Sequence, residues 1–351
     1  MQNTAVICLS ANSGGMELDS IRLVQTLAEP NVYLICKSQS FIEKSAQWQL
    51  GAKKTFTVDF RFNLSYQLYR HLRKILIKNN IKNIIFFGAS ELKSLHFAIR
   101  GLGINLIVRH GTSKDHSKKD FFHRLIYSQV NYHVAVSDYI LDNVKKIIPF
   151  APHTQAQRIY LSRHLKCPEI EVQGNEISMV HVGRIAQGKG HFEAIEAMHL
   201  LAQKGQHAQL KFLGAGDEEL LYQLKKRVAQ YGLEKQIHFL GHVEEVSDFI
   251  QQAQILLFPS WGEGLPNALV ESFAFGAYPV VFENTVFPEL KKLGFHLHLA
   301  RDRDVLDLSE KLMEVIEQKS QLLEKLVHNQ NLYQKYFTAR VEKEQYQKIL
   351  I

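Results

Sequence analysis

Cysteine and long apolar runs are scarce in this sequence of 351 residues. Its three cysteines form no CxxC pair, which argues against a disulfide framework or a zinc site and favours a reducing, cytoplasmic compartment. No apolar run reaches the roughly 18 residues that a membrane-spanning helix needs. The chain begins Met-Gln-Asn-Thr, without the charged and apolar regions of a signal peptide, so none is expected.

Several function-bearing motifs are also missing. The first apolar strand is followed by Ala-Asn-Ser-Gly-Gly, which lacks the GxGxxG spacing of a nicotinamide dehydrogenase. The sequence contains no aromatic-rich RNA-recognition motif, so no nucleic acid partner is expected. It also has no internal repeat of the solenoid kind.

Positive charge is concentrated in the first half of the chain. Residues 1–150 hold 20 of the 42 Lys and Arg but only 10 of the 35 Asp and Glu, although the whole chain carries a net charge of only +7. Such asymmetry favours an anionic partner for this half, while a solvated basic surface is the alternative.

Short apolar runs alternate with helical patterns along both halves, which predicts βαβ units and two doubly wound, Rossmann-like α/β domains. Strands are predicted at Ala5–Leu9, Val32–Cys36, Ile84–Phe87, Asn105–Val108, Tyr132–Val136, Ile177–Val182, Gln209–Leu213, Ile237–Leu240, Ile255–Phe258 and Tyr278–Phe282. Helices are predicted at Met16–Leu27, Leu64–Asn79, His191–Gln203 and Glu218–Tyr231.

A proline-containing stretch with poor periodicity, from Ile148 to Gln173, is interpreted as the connection between the domains. We therefore predict an N-terminal domain over residues 1–155 and a C-terminal domain over 156–335. Residues 336–351 are predicted to form a last helix that packs back on the N-terminal domain.

Four loops in the second half follow strand ends, where ligands bind in doubly wound sheets. In the first, Gly183-Arg184 precedes Lys189 at a helix start, so both cations could reach a diphosphate; a simple turn with a surface lysine is the alternative. In the second, Gly214 begins a tight turn in which Asp217 is expected to cap the next helix.

The third loop contains His242 and could place backbone groups against a nucleobase, or simply end a strand. The fourth, residues 259–271, is the most informative. Pro266 suits the first turn of a helix, whose free N–H groups would attract an anion. Glu263 lies before this helix and Glu271 lies within it, so two carboxylates would bracket that end and could accept hydrogen bonds from sugar hydroxyls.

Taken in order, these motifs resemble glycosyltransferase family 4, whose hallmark is Glu-x7-Glu in this setting. The matching elements are Gly183-Arg184, Lys189-Gly190, Gly214-Ala215-Gly216, Phe239-Leu240-Gly241, Pro259-Ser260, Glu263 to Glu271, Gly276 and Pro279. The resemblance implies a GT-B fold, with the two domains facing across a cleft, and a retaining transfer of a sugar from a nucleotide-sugar. It further implies that the N-terminal domain binds the acceptor and the C-terminal domain the donor.

The resemblance also implies roles for single residues. Arg184 and Lys189 would hold the diphosphate, Glu271 the ribose hydroxyls and Glu263 the donor sugar. Further donor contacts would come from Gly183, Gly214, His242, and the segment Gly264, Leu265, Pro266 and Asn267.

In the first half, the turn Ser13-Gly14-Gly15 resembles the family's N-terminal glycine loop, so Gly14 and Gly15 are assigned to donor binding. His110 follows a strand at the place where family members often carry a histidine near the donor sugar. The Gly-Gly-x-x-Glu that usually follows the final strand is replaced here by Phe287-Pro288-Glu289, which puts that loop's donor contact in doubt.

No metal and no cofactor are expected beside the donor, which we predict to be a UDP-sugar. Asp302-Arg303-Asp304 matches the Asp-x-Asp metal motif of other glycosyltransferases, but capping of a helix near Val305 explains it better.

The predicted function is transfer to a glycan or lipid-linked acceptor in lipopolysaccharide or other surface-polysaccharide synthesis. A sugar-nucleotide epimerase, or a non-catalytic protein that binds nucleotide-sugars or RNA, is the alternative. An anionic acceptor and peripheral contact with the inner face of the plasma membrane would account for the basic first half. The residues proposed for this contact are Arg70, Arg73, Lys74, Lys78, Lys114, Lys118, Lys119, Phe121, Phe122 and Arg124.

Overall fold

The computed structural model describes residues 2–12, 14–171 and 176–351. Ser13 of the predicted glycine turn and Gln173 at the end of the predicted domain connection therefore lie outside the described residues. None of the described helices is both long and apolar enough to cross a membrane.

The chain divides into two compact units. The first comprises Met1–Ser162 and Ala339–Ile351, and the second comprises Arg163–Thr338. Each unit has its own parallel β-sheet and its own cluster of buried apolar side chains. The predicted pair of doubly wound α/β domains is therefore confirmed.

The first unit is built on a seven-stranded parallel sheet. Its strands, in chain order, are β1 (Thr4–Cys8), β2 (Val32–Lys37), β3 (Thr55–Val58), β4 (Asn83–Phe87), β5 (Asn105–His110), β6 (Val130–Ala135) and β7 (Gln155–Arg158). In space their order is β3-β2-β1-β4-β5-β6-β7. Every residue of β1, β4 and β5 is buried, as expected for strands covered by helices on both faces.

Helices connect these strands. They are α1 (Gly15–Leu27), α2 (Phe41–Leu50), α3 (Tyr66–Lys78), α4 (Leu92–Ile99), α5 (Phe121–Tyr127) and α6 (Asp138–Ile147), with a 3₁₀ turn at Ala52–Lys54. Four of them begin after a residue whose side chain accepts a hydrogen bond from the third residue along, which satisfies a free N–H group of the first turn. These caps are Ser40, Ser65, Asp120 and Ser137.

The chain returns to the first unit at its end, as α14 (Ala339–Gln347). Glu342 on this helix is buried and lies 3.3 Å from the Arg109 guanidinium of β5. The same carboxylate accepts hydrogen bonds from the backbone N–H (2.9 Å) and the hydroxyl (2.6 Å) of Ser162. Because a buried charge is costly unless it is paired, these contacts fix the helix to the sheet.

The second unit has a six-stranded parallel sheet in the order β10-β9-β8-β11-β12-β13. Its strands are β8 (Ile177–Val182), β9 (Ala208–Leu213), β10 (Ile237–Phe239), β11 (Ile255–Phe258), β12 (Tyr278–Phe282) and β13 (His298–Ala300). Its helices are α7 (His191–Gln203), α8 (Glu218–Gln230), α9 (Val246–Gln252), α10 (Asn267–Phe275), α11 (Phe287–Lys292), α12 (Val305–Glu317) and α13 (Leu322–Tyr336), with a 3₁₀ turn at Lys319–Gln321.

The unit boundaries differ from those predicted at residues 155/156 and 335/336. A boundary after residue 155 would cut β7, which pairs with β6 and belongs to the first sheet. The stretch that the sequence predicts to be the domain connection thus contains a strand. The chain passes from the first unit to the second after Ser162. The chain returns to the first unit after Thr338, because α13 and Phe337 still pack within the second unit.

Candidate active site

The strand order of the second sheet reverses between β8 and β11. In open α/β sheets, ligands bind outside the carboxyl ends of the strands at such a reversal. Gly183 follows β8 and Pro259 follows β11, so the first and fourth predicted loops both begin at this point. The candidate site is therefore built where the topology opens a crevice.

Glycines allow the loops at this edge to touch one another. A Cβ added at Gly190 would lie 2.2 Å from the Pro259 carbonyl oxygen, and one at Gly214 would lie 2.1 Å from the Gly183 carbonyl oxygen. Such distances are impossible, so the sequence requires glycine at both positions. Gly183 is different, because a Cβ there would make only ordinary contacts with the side chains of His181, at 3.7 Å, and Phe258, at 3.9 Å.

Backbone hydrogen bonds link the loops in a row. The Gly183 N–H donates to the Leu213 carbonyl at 2.9 Å, and the Gly214 N–H donates to the Gly241 carbonyl at 2.7 Å. His242 follows Gly241 in this row, and its side chain is exposed. The first three predicted loops are thus adjacent, and His242 has room to meet a ligand.

Lys189 and Glu263, which are 74 positions apart, form an ion pair of 2.6 Å between Nζ and Oε1. The buried Ser260 hydroxyl lies 2.8 Å from the same Oε1 and 3.1 Å from the Gly188 carbonyl, and it can donate to either. Glu263 is thus engaged with Lys189, whereas Arg184 on the preceding loop is exposed. Ser260 was not among the predicted site residues, although its Pro-Ser motif was.

The buried His181 contacts the backbone of Lys189. Its Nε2–H donates to the Lys189 carbonyl at 2.8 Å, and its ring packs against His191 at a centroid distance of 4.4 Å. Burial holds the pKa of His181 well below its usual value and lowers the pKa of His191 to about 4. Both rings are therefore neutral near pH 7, and His181 orients the lysine backbone without adding charge. These two histidines were not predicted as site residues.

Helix α10 begins at Asn267, with Pro266 as its N-cap, one residue later than predicted. Pro266 itself cannot contribute to an N–H anion site because proline has no N–H group. The N–H groups of the first helical residues, Asn267 and Ala268, face out of the helix start and carry its positive dipole end. Gly264 and Leu265, before the cap, are buried.

Glu271 lies one turn into α10 and is buried. Its carboxylate pairs with the guanidinium of Arg163, a residue that the sequence reading did not single out. Arg163 is held in turn at its backbone, where its carbonyl accepts from the Tyr333 hydroxyl at 2.7 Å and its N–H donates to Phe337 at 3.0 Å. The carboxylate predicted to bind ribose is therefore already oriented before any nucleotide arrives.

Replacing Glu271 by alanine is expected to weaken UDP binding by about a hundredfold, and more than the same change at Glu263, because two ribose hydrogen bonds to a charged group would be lost. Isothermal titration with free UDP measures this. Arg163→Ala is the matched control, because it removes the ion pair but keeps the carboxylate. Equal affinities for the wild type, Glu271→Ala and Glu263→Ala would contradict the ribose assignment.

In the first unit, His110 is the last residue of β5 and is buried. Its Nε2 lies 2.9 Å from Nδ1 of His133, and burial holds its pKa well below the usual value. Gly14 is the N-cap of α1, where an added Cβ would meet only the Glu17 carboxylate, at 2.9 Å, and Gly15 is the first helical residue. A donor-site role for all three residues stays a prediction.

Two acidic motifs are helix caps. The Asp304 carboxylate accepts from the Asp307 N–H at 3.0 Å at the start of α12, and Asp217 accepts from the Leu220 N–H at 3.0 Å at the start of α8. Both capping predictions are confirmed. Among the described residues, no group of three or more His, Cys, Asp and Glu side chains is arranged to hold a metal ion.

Residues 166–332, nearly the whole second unit, match the family described as glycosyl transferases, group 1. The GalNAc-alpha-(1->4)-GalNAc-alpha-(1->3)-diNAcBac-PP-undecaprenol alpha-1,4-N-acetyl-D-galactosaminyltransferase of Campylobacter jejuni is 25% identical over 285 residues, which are 78% of this chain and 77% of that relative. The amylovoran biosynthesis glycosyltransferase AmsK of Erwinia amylovora is 32% identical over 147 residues, but these are only 40% of this chain and 36% of AmsK.

Among solved structures, that of HepE from Anabaena in complex with UDP superposes with a TM-score of 0.85 at 14% identity, covering 100% of this chain and 99% of HepE. The superposition covers both units and shows that this chain and HepE have the same fold. The resemblance predicted from the order of the loop motifs is thus confirmed. The chain is a glycosyltransferase of the GT-B fold, and its residues 166–332 match the group 1 glycosyl transferases.

Proposed function

We propose that this protein transfers a sugar from a UDP-sugar, with retention of the anomeric configuration, to an anionic glycan or lipid-linked glycan of a bacterial surface polysaccharide. The carrying observation is the Lys189–Glu263 pair at the strand reversal, on the same edge as the start of α10. The Campylobacter relative is named for an undecaprenol diphosphate glycan and AmsK for amylovoran synthesis, which supports this class of acceptor.

In this proposal, Lys189, Arg184 and the N-terminus of α10 bind the diphosphate of the donor. The bond between the sugar C1 and the diphosphate oxygen breaks, an acceptor hydroxyl oxygen bonds to C1, and the hydroxyl proton ends on the departing diphosphate. Negative charge grows on the leaving oxygen as the bond breaks, so cations that are fixed beforehand stabilise the transition state more than the bound donor. The Glu263 and His181 contacts fix Lys189 in this way.

HepE structures contain UDP and UDP-glucose, which supports uridine as the base. In our proposal, Glu271 binds the ribose, and the row of loops that ends at His242 lies next to the base. We expect transfer from a UDP-sugar to a saccharide acceptor to persist in excess EDTA, because protein cations supply the charge that a metal would bring. The test is an assay over UDP-hexoses and UDP-N-acetylhexosamines, with NMR of the product's anomeric proton.

The outcomes of this assay separate the alternatives. Isomerised donor without transfer would indicate an epimerase, and UDP binding without turnover on any acceptor would indicate a non-catalytic binding protein. Activity that is lost in EDTA and restored by a divalent ion would contradict the metal-free mechanism. An inverted product would contradict retention while leaving the transfer itself intact.

We further propose that the first unit meets an anionic membrane, at the cytoplasmic face. The apolar stripe of α3, including Leu68 and Leu72, is buried against its own unit and takes no part. Other apolar side chains at this helix are exposed, with Tyr66 71% and Ile77 56% accessible, and Arg70 and Lys74 are exposed between them. The exposed Phe121 (85%) lies in the second basic segment beside exposed Lys119 and Arg124, so these phenylalanine and basic side chains support interfacial contact. 

Sedimentation with phosphatidylglycerol vesicles at low salt is expected to pellet the protein, whereas phosphatidylcholine vesicles leave it in solution. Raising the salt should release it, because screening weakens the attraction of exposed charges. Tyr66→Ser with Ile77→Ser should reduce pelleting, and Tyr222→Ser, at an equally exposed position of the second unit, should not. Indifference to anionic vesicles at low salt would contradict membrane contact.

A further inference from the structure

Two lysines of the first unit lie against each other without a counter-ion. Lys114 and Lys118 follow β5, are half-buried, and lie close enough together that the charge of Lys118 lowers the pKa of Lys114. Among the described residues, neither ammonium has a carboxylate within 4.0 Å, and Glu91 is the acidic group close enough to influence Lys114. Both had been grouped with the exposed membrane-facing charges, but their burial sets them apart from Lys119, which is exposed.

This arrangement is unfavourable as it stands. Two like charges close together repel, and partial burial removes water that would screen them. Burial and the neighbouring Lys118 lower the pKa of Lys114 to about 8. Perturbation of this kind concentrates at binding and catalytic sites, because a ligand of opposite charge then offsets its cost.

The loop that carries the two lysines is held in place by α6. Asn143 bonds the backbone of Lys114 twice, accepting from its N–H and donating to its carbonyl, each at 3.0 Å. The Lys118 N–H donates to the Ile147 carbonyl at 2.8 Å. The ammonium groups are therefore carried on a fixed backbone and are not brought together by chance on a loose one.

Lys118 also lines a small cavity of about 80 Å³ beside the end of β4. Ser90, Lys93, His123 and Tyr127 face the same space. Burial raises the pKa of Tyr127 to about 12, so its hydroxyl keeps its proton as a hydrogen-bond donor. The volume is far below the roughly 300 Å³ at which pockets for whole small molecules begin, so the cavity suits a single charged group.

The cavity lies close to the strand reversal of the first sheet, which falls between β1 and β4. It also lies at the start of α4, whose dipole favours an anion there. Of the neighbouring acidic residues, Asp120 is engaged by the side chain and backbone N–H of His123, and Glu91 lies between the lining residues Ser90 and Lys93. Two lysines, a hydroxyl and a phenol thus remain for a ligand.

We propose that Lys118, with Lys93 and Lys114, binds a phosphate group of the acceptor in this cavity. Lysine ammonium groups bind phosphate as point charges. Lys93 and Lys118 line this space, and Lys114 adds its charge from beside Lys118. That the phosphate belongs to the acceptor rests on the proposed function; that the cavity binds phosphate does not. The group can come from a phosphorylated saccharide or from a phospholipid headgroup.

The test is isothermal titration of the full-length protein with pyrophosphate in the presence of saturating UDP, which occupies the donor site. We expect Lys118→Gln to weaken pyrophosphate binding by about tenfold or more, since it removes a hydrogen bond to a charged group. Lys114→Gln should weaken it less, since it removes a neighbouring charge and no direct contact. Lys119→Gln removes the same charge from an exposed neighbour and should leave the affinity nearly unchanged. All variants should bind UDP as the wild type does.

Equal pyrophosphate affinity in wild type and Lys118→Gln would overturn the proposal. So would an equal loss in Lys119→Gln, because it would indicate a diffuse basic field. If neither the wild type nor any variant binds UDP, the proposed donor site is contradicted. The pyrophosphate affinities of the wild type and the variants can still be compared in that case. A comparison of glucose 1-phosphate binding with binding to vesicles that contain phosphatidic acid then distinguishes a saccharide phosphate from a lipid headgroup.

Sulfate, which keeps its double charge between pH 7 and 9, provides an independent reading of Lys114. Sulfate affinity should fall as the pH rises through about 8, where Lys114 loses its charge. The groups that face Lys114 are Lys118, Glu91 and His110, and His110 is already neutral. Lys114→Arg, which stays charged, should abolish this fall. A pH profile identical in wild type and Lys114→Arg would contradict the role of Lys114.

Discussion

Replacing Lys189 by alanine is expected to lower kcat by about 10²–10³, the usual cost of removing one preorganised electrostatic donor. Lys189 is held at three points, through its ammonium by Glu263, through its carbonyl by His181, and through the tight contact of Gly190 with Pro259. A flexible surface lysine would have to be ordered during the reaction, whereas this one is ordered before it. Arg184→Ala should lower kcat in the same direction, since both cations are assigned to the diphosphate.

The Lys189 and Arg184 experiment needs steady-state kinetics together with thermal unfolding. Lys204→Ala, an exposed charge at the end of α7 in the same unit, is the matched control and should keep wild-type turnover. Unchanged unfolding midpoints would show that the variants lose chemistry and not structure. Near-normal turnover in both Lys189→Ala and Arg184→Ala would contradict the role assigned to these cations.

Gly214→Ala is expected to destabilise the second unit by about 3 kcal/mol, from overpacking combined with backbone strain. The new Cβ would lie 2.1 Å from the Gly183 carbonyl oxygen, and the φ angle of +142° disfavours any residue with a side chain. Backbone cannot move aside as a flexible side chain can, so the loop that carries Arg184 has to shift. For a unit of this size, the unfolding midpoint should fall by roughly 6–12 °C, and UDP affinity should fall with it.

Gly262→Ala is the control for Gly214→Ala, because Gly262 lies in the loop before α10 but has open space around its Cβ position. Its unfolding midpoint should stay near that of the wild type. Gly216→Ala gives a second measurement, since its Cβ would lie 2.1 Å from the Ile185 carbonyl oxygen while its φ angle is not in the left-handed region. If Gly214→Ala and Gly216→Ala both unfold like the wild type, the loops are not packed as described.

The second unit could be predicted closely because most of its strands are apolar runs, and β8, β9 and β11 are followed directly by glycine or proline. The observed bounds of β8, α7, β11 and β12 are the predicted ones. The carboxyl ends of parallel strands meet at one edge, so the order of the motifs was enough to bring the loops of Gly183, Gly214 and Pro259 together. Pattern and topology therefore determine which loops form the site.

Contacts between distant side chains could not be predicted in the same way. Arg163 reaches Glu271 across 108 positions, and nothing in the residues around Arg163 distinguishes it from other arginines of the chain. The edge strand β7 was missed because Gln155–Arg158 is polar and lacks the apolar alternation that marks a strand. The burial of Lys114 and Lys118 was missed because charge patterns alone place lysines at the surface.

The return of the chain as α14 makes the second unit an insertion within the first. Arg163 and Phe337, near the two ends of that unit, are joined by a backbone hydrogen bond of 3.0 Å, so a single piece enters and leaves at one place. In the first unit, Ser162 and Glu342 lie on either side of the point at which the second unit is inserted, and they hydrogen-bond to each other. Domains whose ends lie close together tolerate insertion and exchange. Evolution can therefore replace residues 163–338 as one cassette, while the first unit keeps both halves of its own core.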